Sequence, residues 1–260
     1  MSKVVTAADY DAVFARRAAR PLAFAFDRYS DDDIGALSGS ISYISRKDAA
    51  RHCQIVRKSL ARVERRSRVL LEIGCGTGGY VRYLSRHIDV SAIGIDSSAL
   101  AIAAARKFAT PGVEFLWRDA GNSGLPHCFA GAALAIDIFH LTHDRSTVLD
   151  EAFRVLAPRA ALVFTVLYTN RDTDDIVAGW SAALKSAGFM VVTARDVSEP
   201  WQRHMLAKHS WRWDRRSRLR HVLGSWAEPE LSVSAAMLGL GSAASVAKST
   251  SRFEFVAIRR

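Results

Sequence analysis

The sequence predicts an α/β fold in which short apolar strands alternate with amphipathic helices, and three observations predict it. Residues 68–73 (RVLLEI) form a brief apolar run, suited to a strand buried on both faces and bounded by glycines. A turn with Gly74, Gly76, Gly78 and Gly79 follows, then a helical stretch from about Gly79 to His87 and a second apolar strand over 91–96. The same alternation recurs downstream as strands at 113–120 (VEFLWRDA), 132–140 (AALAIDIFH) and 189–197 (FMVVTARDV).

The glycine turn carries the chemistry. Without Cβ atoms its backbone can take positive φ and let a ligand lie against the main chain, while the following helix offers unpaired N–H groups and the positive end of its dipole. Gly74-x-Gly76-x-x-Gly79 satisfies the dinucleotide fingerprint, so the geometry is Rossmann-like, and glycine spacing alone leaves the cofactor open. Asp96 ends the second strand where a carboxylate takes ribose hydroxyls, a role common to both cofactor classes.

The flanking acids decide between them. The stretch Glu72-Ile73-Gly74-Cys75-Gly76-Thr77-Gly78 resembles motif I of the class I S-adenosyl-L-methionine-dependent methyltransferases, and the small-molecule members above all. The resemblance covers roughly residues 65–197. It implies a seven-stranded, mostly parallel Rossmann-like sheet with helices on both faces, an N-terminal helical lid and a helical insertion before the last strand. It also implies S-adenosyl-L-methionine as cofactor and S-adenosyl-L-homocysteine as product. By this resemblance Glu72 organises the methionine end of the cofactor, Asp119 reaches the adenine amino group, and Ser97 and Leu100 flank adenine. Gly74, Cys75, Gly76, Gly78, Ala120 and Asp137 complete the cofactor set, with Cys75 read as a small buried filler. One departure is visible: the usual Pro-Gly-Gly turn before the fifth strand is here Pro158-Arg159-Ala160-Ala161.

Catalytic candidates follow the fourth strand. Asp137, His140 and His143 sit at or just past a strand's carboxyl end, where open α/β sheets bind ligands. A histidine of near-neutral pKa can remove a proton from an acceptor as the methyl transfers, which makes His140 and His143 the candidate bases. Alignment and desolvation alone also suffice for many methyl transfers, because the sulfonium is already activated. His140, His143 and Asp144 are an alternative divalent-metal set, but two histidines without a clear third ligand are weak evidence for one, and no metal is expected.

The acceptor side is read from two segments. Residues 27–45 (DRYSDDDIGALSGSISYIS) make a loop able to fold over a pocket, and the resemblance implies that its tyrosines, Tyr29 and Tyr43, contribute to the acceptor site. Ser45 then opens a helix whose apolar face is Ala49, Cys53, Val56, Leu60 and Val63. The insertion over 198–251 interleaves Trp201, His204, His209, Trp211 and Trp213 with arginines, which suits an acidic or aromatic acceptor or, as the alternative, single-stranded nucleic acid stacked on the rings. Tyr168, ending the fifth strand, joins Trp201, His204 and His140 in the substrate set. The domain reading is a lid segment over 1–64 and a core over 65–260 holding the cap at 198–251.

Composition bounds the rest. The chain has 260 residues, enough for one sizeable core, and a net charge of +10. Such charge invites nucleic acid, yet the arginines are scattered, so nucleic acid is the weaker partner reading and a small-molecule acceptor the stronger. Three cysteines without CxxC spacing, which cannot all pair, suggest neither a disulfide framework nor a zinc site and fit a reducing compartment. No signal peptide or apolar run of about 18 residues is read, so the expectation is a cytoplasmic monomer or homodimer with no membrane partner. The activity expected is methyl transfer to oxygen or nitrogen, less readily carbon, of a metabolite or natural-product intermediate. The alternatives are an RNA or protein methyltransferase, a methyltransferase-fold protein that binds the cofactor without methylating, and a nicotinamide oxidoreductase. The fourth strand ends Asp137-Ile138-Phe139-His140, not the Asn/Asp-Pro-Pro-aromatic pattern of nucleobase amino methylation.

Overall fold

A computed structural model describes residues 30–35, 42–108, 110–142, 144–169, 173–241 and 244–260. Tyr29 and His143 lie outside the described residues.

The seven expected strands form one sheet, ordered β3-β2-β1-β4-β5-β7-β6. Their bounds are β1 Leu70–Ile73, β2 Ala92–Asp96, β3 Val113–Trp117, β4 Ala130–Ala135, β5 Leu156–Thr169, β6 Phe189–Asp196 and β7 Thr250–Arg259. Pairing is parallel from β3 through β5, and β7 runs antiparallel to both neighbours. The start of β7 therefore lies beside the carboxyl end of β5, with Thr165 opposite Glu254 and Leu167 opposite Arg252.

The helices are α1 Arg46–Leu60, α2 Gly79–Ile88, α3 Ala99–Arg106, α4 Arg145–Val155, α5 Thr173–Ser186, α6 Ser198–Asp214, α7 Arg216–Leu223, α8 Ala227–Leu238 and the single turn α9 Val246–Ser249. Ser45 caps α1 by accepting from the Asp48 N–H. One face of the sheet is covered by α1, α2 and α3 through Ala49, Val56, Leu84 and Ile102, and the other by α4 and α5 through Leu149, Trp180 and Leu184.

Several predicted bounds shift. The fourth strand ends at Ala135 rather than His140, because Asp137 takes φ +53° and turns the chain into a 3₁₀ turn at Phe139–Leu141. The third ends at Trp117, where residues 119–122 close a tight bridge. The Pro158-Arg159 turn is absorbed into β5, with Arg159 at φ +68° marking the irregularity where β4 and β5 slip register. The insertion before β7 is helical, as expected.

Candidate functional site

The cofactor loop joins β1 to α2. Gly74, Gly76 and Gly78 have φ of +72°, +53° and +72°, a region costly for residues with a Cβ. Packing enforces the same choice: a Cβ on Gly74 would lie 2.3 Å from Ile138 Cγ2, and one on Gly78 2.1 Å from the Phe115 ring. Asp96 closes β2 and ties the loop down, its Oδ2 accepting from Gly76 N at 2.8 Å and its Oδ1 from Ser98 N at 2.8 Å. The backbone cradle, the helix start and a partly exposed carboxylate together fit an adenosyl cofactor with a ribose diol.

Glu72 is buried, and its Oε2 accepts from Val81 N at 2.9 Å, fastening the first turn of α2 to β1. Burial pushes its carboxyl up to about 8; the Val81 bond opposes this and the Asp96 charge adds to it. A carboxyl raised on folding favours the native state most below its unfolded pKa, near 4.5. That contribution is lost as pH rises through about 8. Glu72→Gln is expected to flatten the fall of melting temperature between pH 4.5 and 8, read by thermal melts across that range. An unchanged slope would remove Glu72 as its source. Burial and the neighbouring Glu72 and Asp96 also push the Cys75 thiol up, consistent with a buried filler.

On the adenine side, Ser97, Leu100 and Asp119 are exposed and Ala120 packs partly into the core. Asp119 Oδ1 accepts from Gly121 N. Trp117, which sequence reasoning passed over, pairs with Asp96 across β2–β3 and donates its indole N–H to Ser97 O at 2.9 Å. The ring is 58 % exposed beside Ser97, and an exposed tryptophan ending a strand was its signal in the sequence.

At the end of β4 the structure departs from expectation. Asp137 is buried, and both oxygens are engaged: Oδ1 accepts from Thr165 Oγ1 at 2.7 Å and Arg252 Nε at 3.0 Å, and Oδ2 from Arg252 Nη2 at 2.8 Å. The cofactor role expected of it gives way to an ion pair, because β7 delivers Arg252 to the same end of the sheet. Arg252 Nη1 also donates to Tyr43 O at 2.9 Å, so one guanidinium joins the β4 turn to the 42–45 segment. His140 is exposed on the 3₁₀ turn; desolvation lowers its pKa below 6.5, partly offset by Asp137.

Of the acceptor residues, Tyr43, Trp201 and His204 come together. Tyr43, Trp201, Met205 and Ala247 form a cluster joined by Leu167, and the Tyr43 and His204 rings stack at 3.7 Å. His204 Nε2 meets Asp33 Oδ2 at 3.0 Å, and Tyr43 Oη donates to Asp32 Oδ2 at 3.4 Å. Burial pushes the Tyr43 phenol upward, the nearby Asp32 charge adding to it. Tyr168 does not join them. It shares the parity of Phe164 and Val166, so it faces α5, where its hydroxyl accepts from Trp180 Nε1 at 3.1 Å. Leu167 and Thr165 face the other way.

A cavity at this end of the sheet is lined by Tyr43, Asp48, His52, Thr165, Arg252 and Glu254, among others. Sequence reasoning missed all of these but Tyr43. Their signal was charge in the wrong place: Arg252 and Glu254 alternate with Phe253 and Phe255 in a buried strand, and His52 lies on the apolar face of α1. A wider hollow lined by Val69, Ser91, Gly112 and Phe129 lies at the strands' amino ends, away from the loop. Among the described residues no three His, Cys, Asp or Glu side chains converge on a metal position, and no helix is long and apolar enough to cross a membrane.

Comparison with known proteins accords with this geometry. Residues 70–159 match the family model described as "Methyltransferase domain". The chain is 26 % identical over 179 residues to phthiotriol/phenolphthiotriol dimycocerosates methyltransferase 1 of Mycobacterium ulcerans, covering 68 % of this chain and 64 % of that protein. It is 26 % identical to the fatty-acid O-methyltransferase of Mycolicibacterium smegmatis, over 56 % of this chain and 52 % of that one. The chain thus spans roughly half to two thirds of these relatives. Among solved structures, the [4+2]-cyclase SpnF aligns with TM-score 0.71 at 17 % identity, over 98 % of this chain and 96 % of that one. A Haemonchus contortus phosphoethanolamine N-methyltransferase 2, solved with S-adenosyl-L-methionine, aligns with TM-score 0.67 at 16 % identity, over 95 % and 60 %. Residues 70–159 are therefore a methyltransferase domain, and the chain carries the class I S-adenosylmethionine-dependent methyltransferase fold.

Proposed function

We propose that this protein transfers a methyl group from S-adenosyl-L-methionine to an oxygen or nitrogen of a small-molecule acceptor, releasing S-adenosyl-L-homocysteine. The observation that carries the reading is the loop at 74–78, its glycines at positive φ and Asp96 bonded to Gly76 N at the carboxyl end of β2. Glu72, Gly74, Cys75, Gly76 and Gly78 would form the methionine-side cradle. Asp96 would take the ribose diol, and Ser97, Leu100, Trp117, Asp119 and Ala120 would bound the adenine. When bound, the cofactor supplies an activated methyl that reacts in line, so what is asked of this chain is alignment and exclusion of water.

Tyr43, Trp201 and His204 would shape the acceptor pocket, with residues 30–35 and 42–45 belonging to its lid and the helices between β6 and β7 forming its cap. The apolar cluster of Trp201, Met205 and Leu167 lies near a small polar cavity of about 10 Å³ lined by Thr165, Arg252 and Glu254, and an acceptor with both apolar and polar parts would have to part these elements to enter. The two mycobacterial relatives, named for lipid-like acceptors, point the same way.

His140 is the candidate general base. Its lowered pKa keeps the imidazole neutral, and able to accept a proton, to lower pH than an ordinary histidine. His140→Ala is expected to cut kcat about a hundredfold with little change in cofactor affinity, and the acid limb of the wild-type kcat profile should fall below pH 6.5. Unchanged turnover would make proximity, not base catalysis, the mechanism.

Calorimetric titration with S-adenosyl-L-methionine, S-adenosyl-L-homocysteine and NAD tests the cofactor directly. Binding of the first two without NAD supports the reading and opens a screen of long-chain acids, alcohols and amines; binding of NAD alone overturns it. The SpnF likeness shows that this fold also serves a protein named as a cyclase, so the fold by itself does not fix the chemistry. Cofactor consumed stoichiometrically with a methylated product is the decisive readout.

A further inference from the structure

Three side chains from three elements form a buried line between the cofactor loop and the small cavity beside β5 and β7. Tyr80 lies in the first turn of α2, directly after the glycine loop, and is 1 % exposed. Its hydroxyl is 2.7 Å from His52 Nδ1, and His52 Nε2 is 2.9 Å from Glu254 Oε2. His52 projects from the buried face of α1 and Glu254 from β7; both are 2 % exposed, and both line the cavity beside Arg252 and Thr165. Arg51, one residue before His52, also pairs with Glu254 and reaches Asp48 at 2.9 Å.

The donor and acceptor roles follow from the ends of the line. Glu254, paired with Arg51, accepts, so His52 Nε2 carries a proton and Nδ1 is left to receive the Tyr80 hydroxyl. Burial pushes the Tyr80 phenol well up, which keeps that hydroxyl a donor. Both ring nitrogens are thereby occupied, so His52 has none left for an acceptor proton. A purely apolar contact would serve packing at this position at lower desolvation cost. What the polar line adds is direction: each bond fixes an angle as well as a distance.

We propose that Tyr80, His52 and Glu254 are positioning residues which hold the start of α2, and with it the cofactor loop, in register with the wall that α1 and β7 build beside Arg252 and Tyr43. The inference rests on the cofactor reading above and adds to it a mechanical tie between the two halves of the site. The α2 start is fixed twice, by Glu72 through Val81 N to β1 and by Tyr80 through His52 to β7. The first fastening orients the helix on its own strand. The second couples it to the strand that carries Arg252, and so to the β4 turn and to Tyr43.

The test measures S-adenosyl-L-homocysteine affinity by calorimetry, alongside melting temperature, for Tyr80→Phe, His52→Leu, His52→Gln and the double variant Tyr80→Phe/His52→Leu. Loss of a single buried hydrogen bond corresponds to roughly a five- to tenfold change in an equilibrium. Tyr80→Phe and His52→Leu are therefore each expected to weaken binding about that much, and the double variant no more than the worse single. His52→Gln is expected to stay close to wild type, because its amide can accept from Tyr80 and donate to Glu254 with similar atom spacing. A merely structural line would lower melting temperature while leaving affinity of the folded protein unchanged, and that result overturns the proposal. So would additive losses, or His52→Gln behaving like His52→Leu. Should His52→Leu not fold, Tyr80→Phe against His52→Gln decides alone. Failure of the wild type to bind S-adenosyl-L-homocysteine would overturn the cofactor reading instead, which keeps the two failures distinct.

Discussion

Asp96→Ala is expected to weaken S-adenosyl-L-homocysteine binding by about a hundredfold while leaving a folded protein. The carboxylate does two things at once: it holds Gly76 N and Ser98 N at 2.8 Å each, and it ends β2 where a ribose diol would sit. Hydrogen bonds to a charged group contribute about 1.5–3 kcal/mol, and each 1.4 kcal/mol is about tenfold in affinity. Removing the acceptor loses ligand bonds and also frees the loop backbone that the ligand lies on. Asp96→Asn, which keeps one acceptor oxygen, should fall between wild type and Ala. Titration calorimetry on both variants reads the result. Wild-type affinity in a folded Asp96→Ala protein would remove the ribose role and shift the weight of recognition to the helix start and Trp117.

Arg252→Met should produce the largest loss of stability. The guanidinium and the Asp137 carboxylate are 5 % and 8 % exposed and 2.8 Å apart. Removing only the cation leaves a buried carboxylate with Thr165 as its main remaining partner. Breaking one side of a buried pair costs about 3–5 kcal/mol. At roughly 2–4 °C per kcal/mol for a chain of this size, the melting temperature should fall by about 10 °C. The double variant Arg252→Met/Asp137→Leu should recover much of that, since it removes both desolvation costs together. The single variant should also loosen the lid segment, because Arg252 Nη1 no longer donates to Tyr43 O; faster proteolysis around residues 42–45 would report it. A melting temperature within a degree of wild type would show that Asp137 finds water or takes a proton at no cost, and the clamp would not be structural.

The α/β class and the cofactor loop were legible in local periodicity and glycine spacing, whereas the count of seven strands and the helical insertion came with the resemblance to the methyltransferases. Four glycines between an apolar run and a helix leave few backbone solutions, and Asp96 follows at the distance one βαβ step requires. The resemblance to the methyltransferases covers roughly residues 65–197, of which the family model matches 70–159.

Which distant residues share the space beside that loop is set by strand order and direction. Asp137 looked like a ligand from its place at a strand end, yet Arg252, 115 residues later, pairs with it because β7 enters the sheet antiparallel between β5 and β6. Tyr168 looked like a pocket residue, yet strand alternation turns it toward Trp180 and gives the place to Thr165 and Leu167. His52 and Glu254 were passed over in the sequence, and only folding sets them against Tyr80. Local sequence fixes backbone conformation through sterics and hydrogen-bond spacing. A buried charge is stabilised only by a partner, and that partner is chosen by strand order and direction, which no stretch of the chain carries alone.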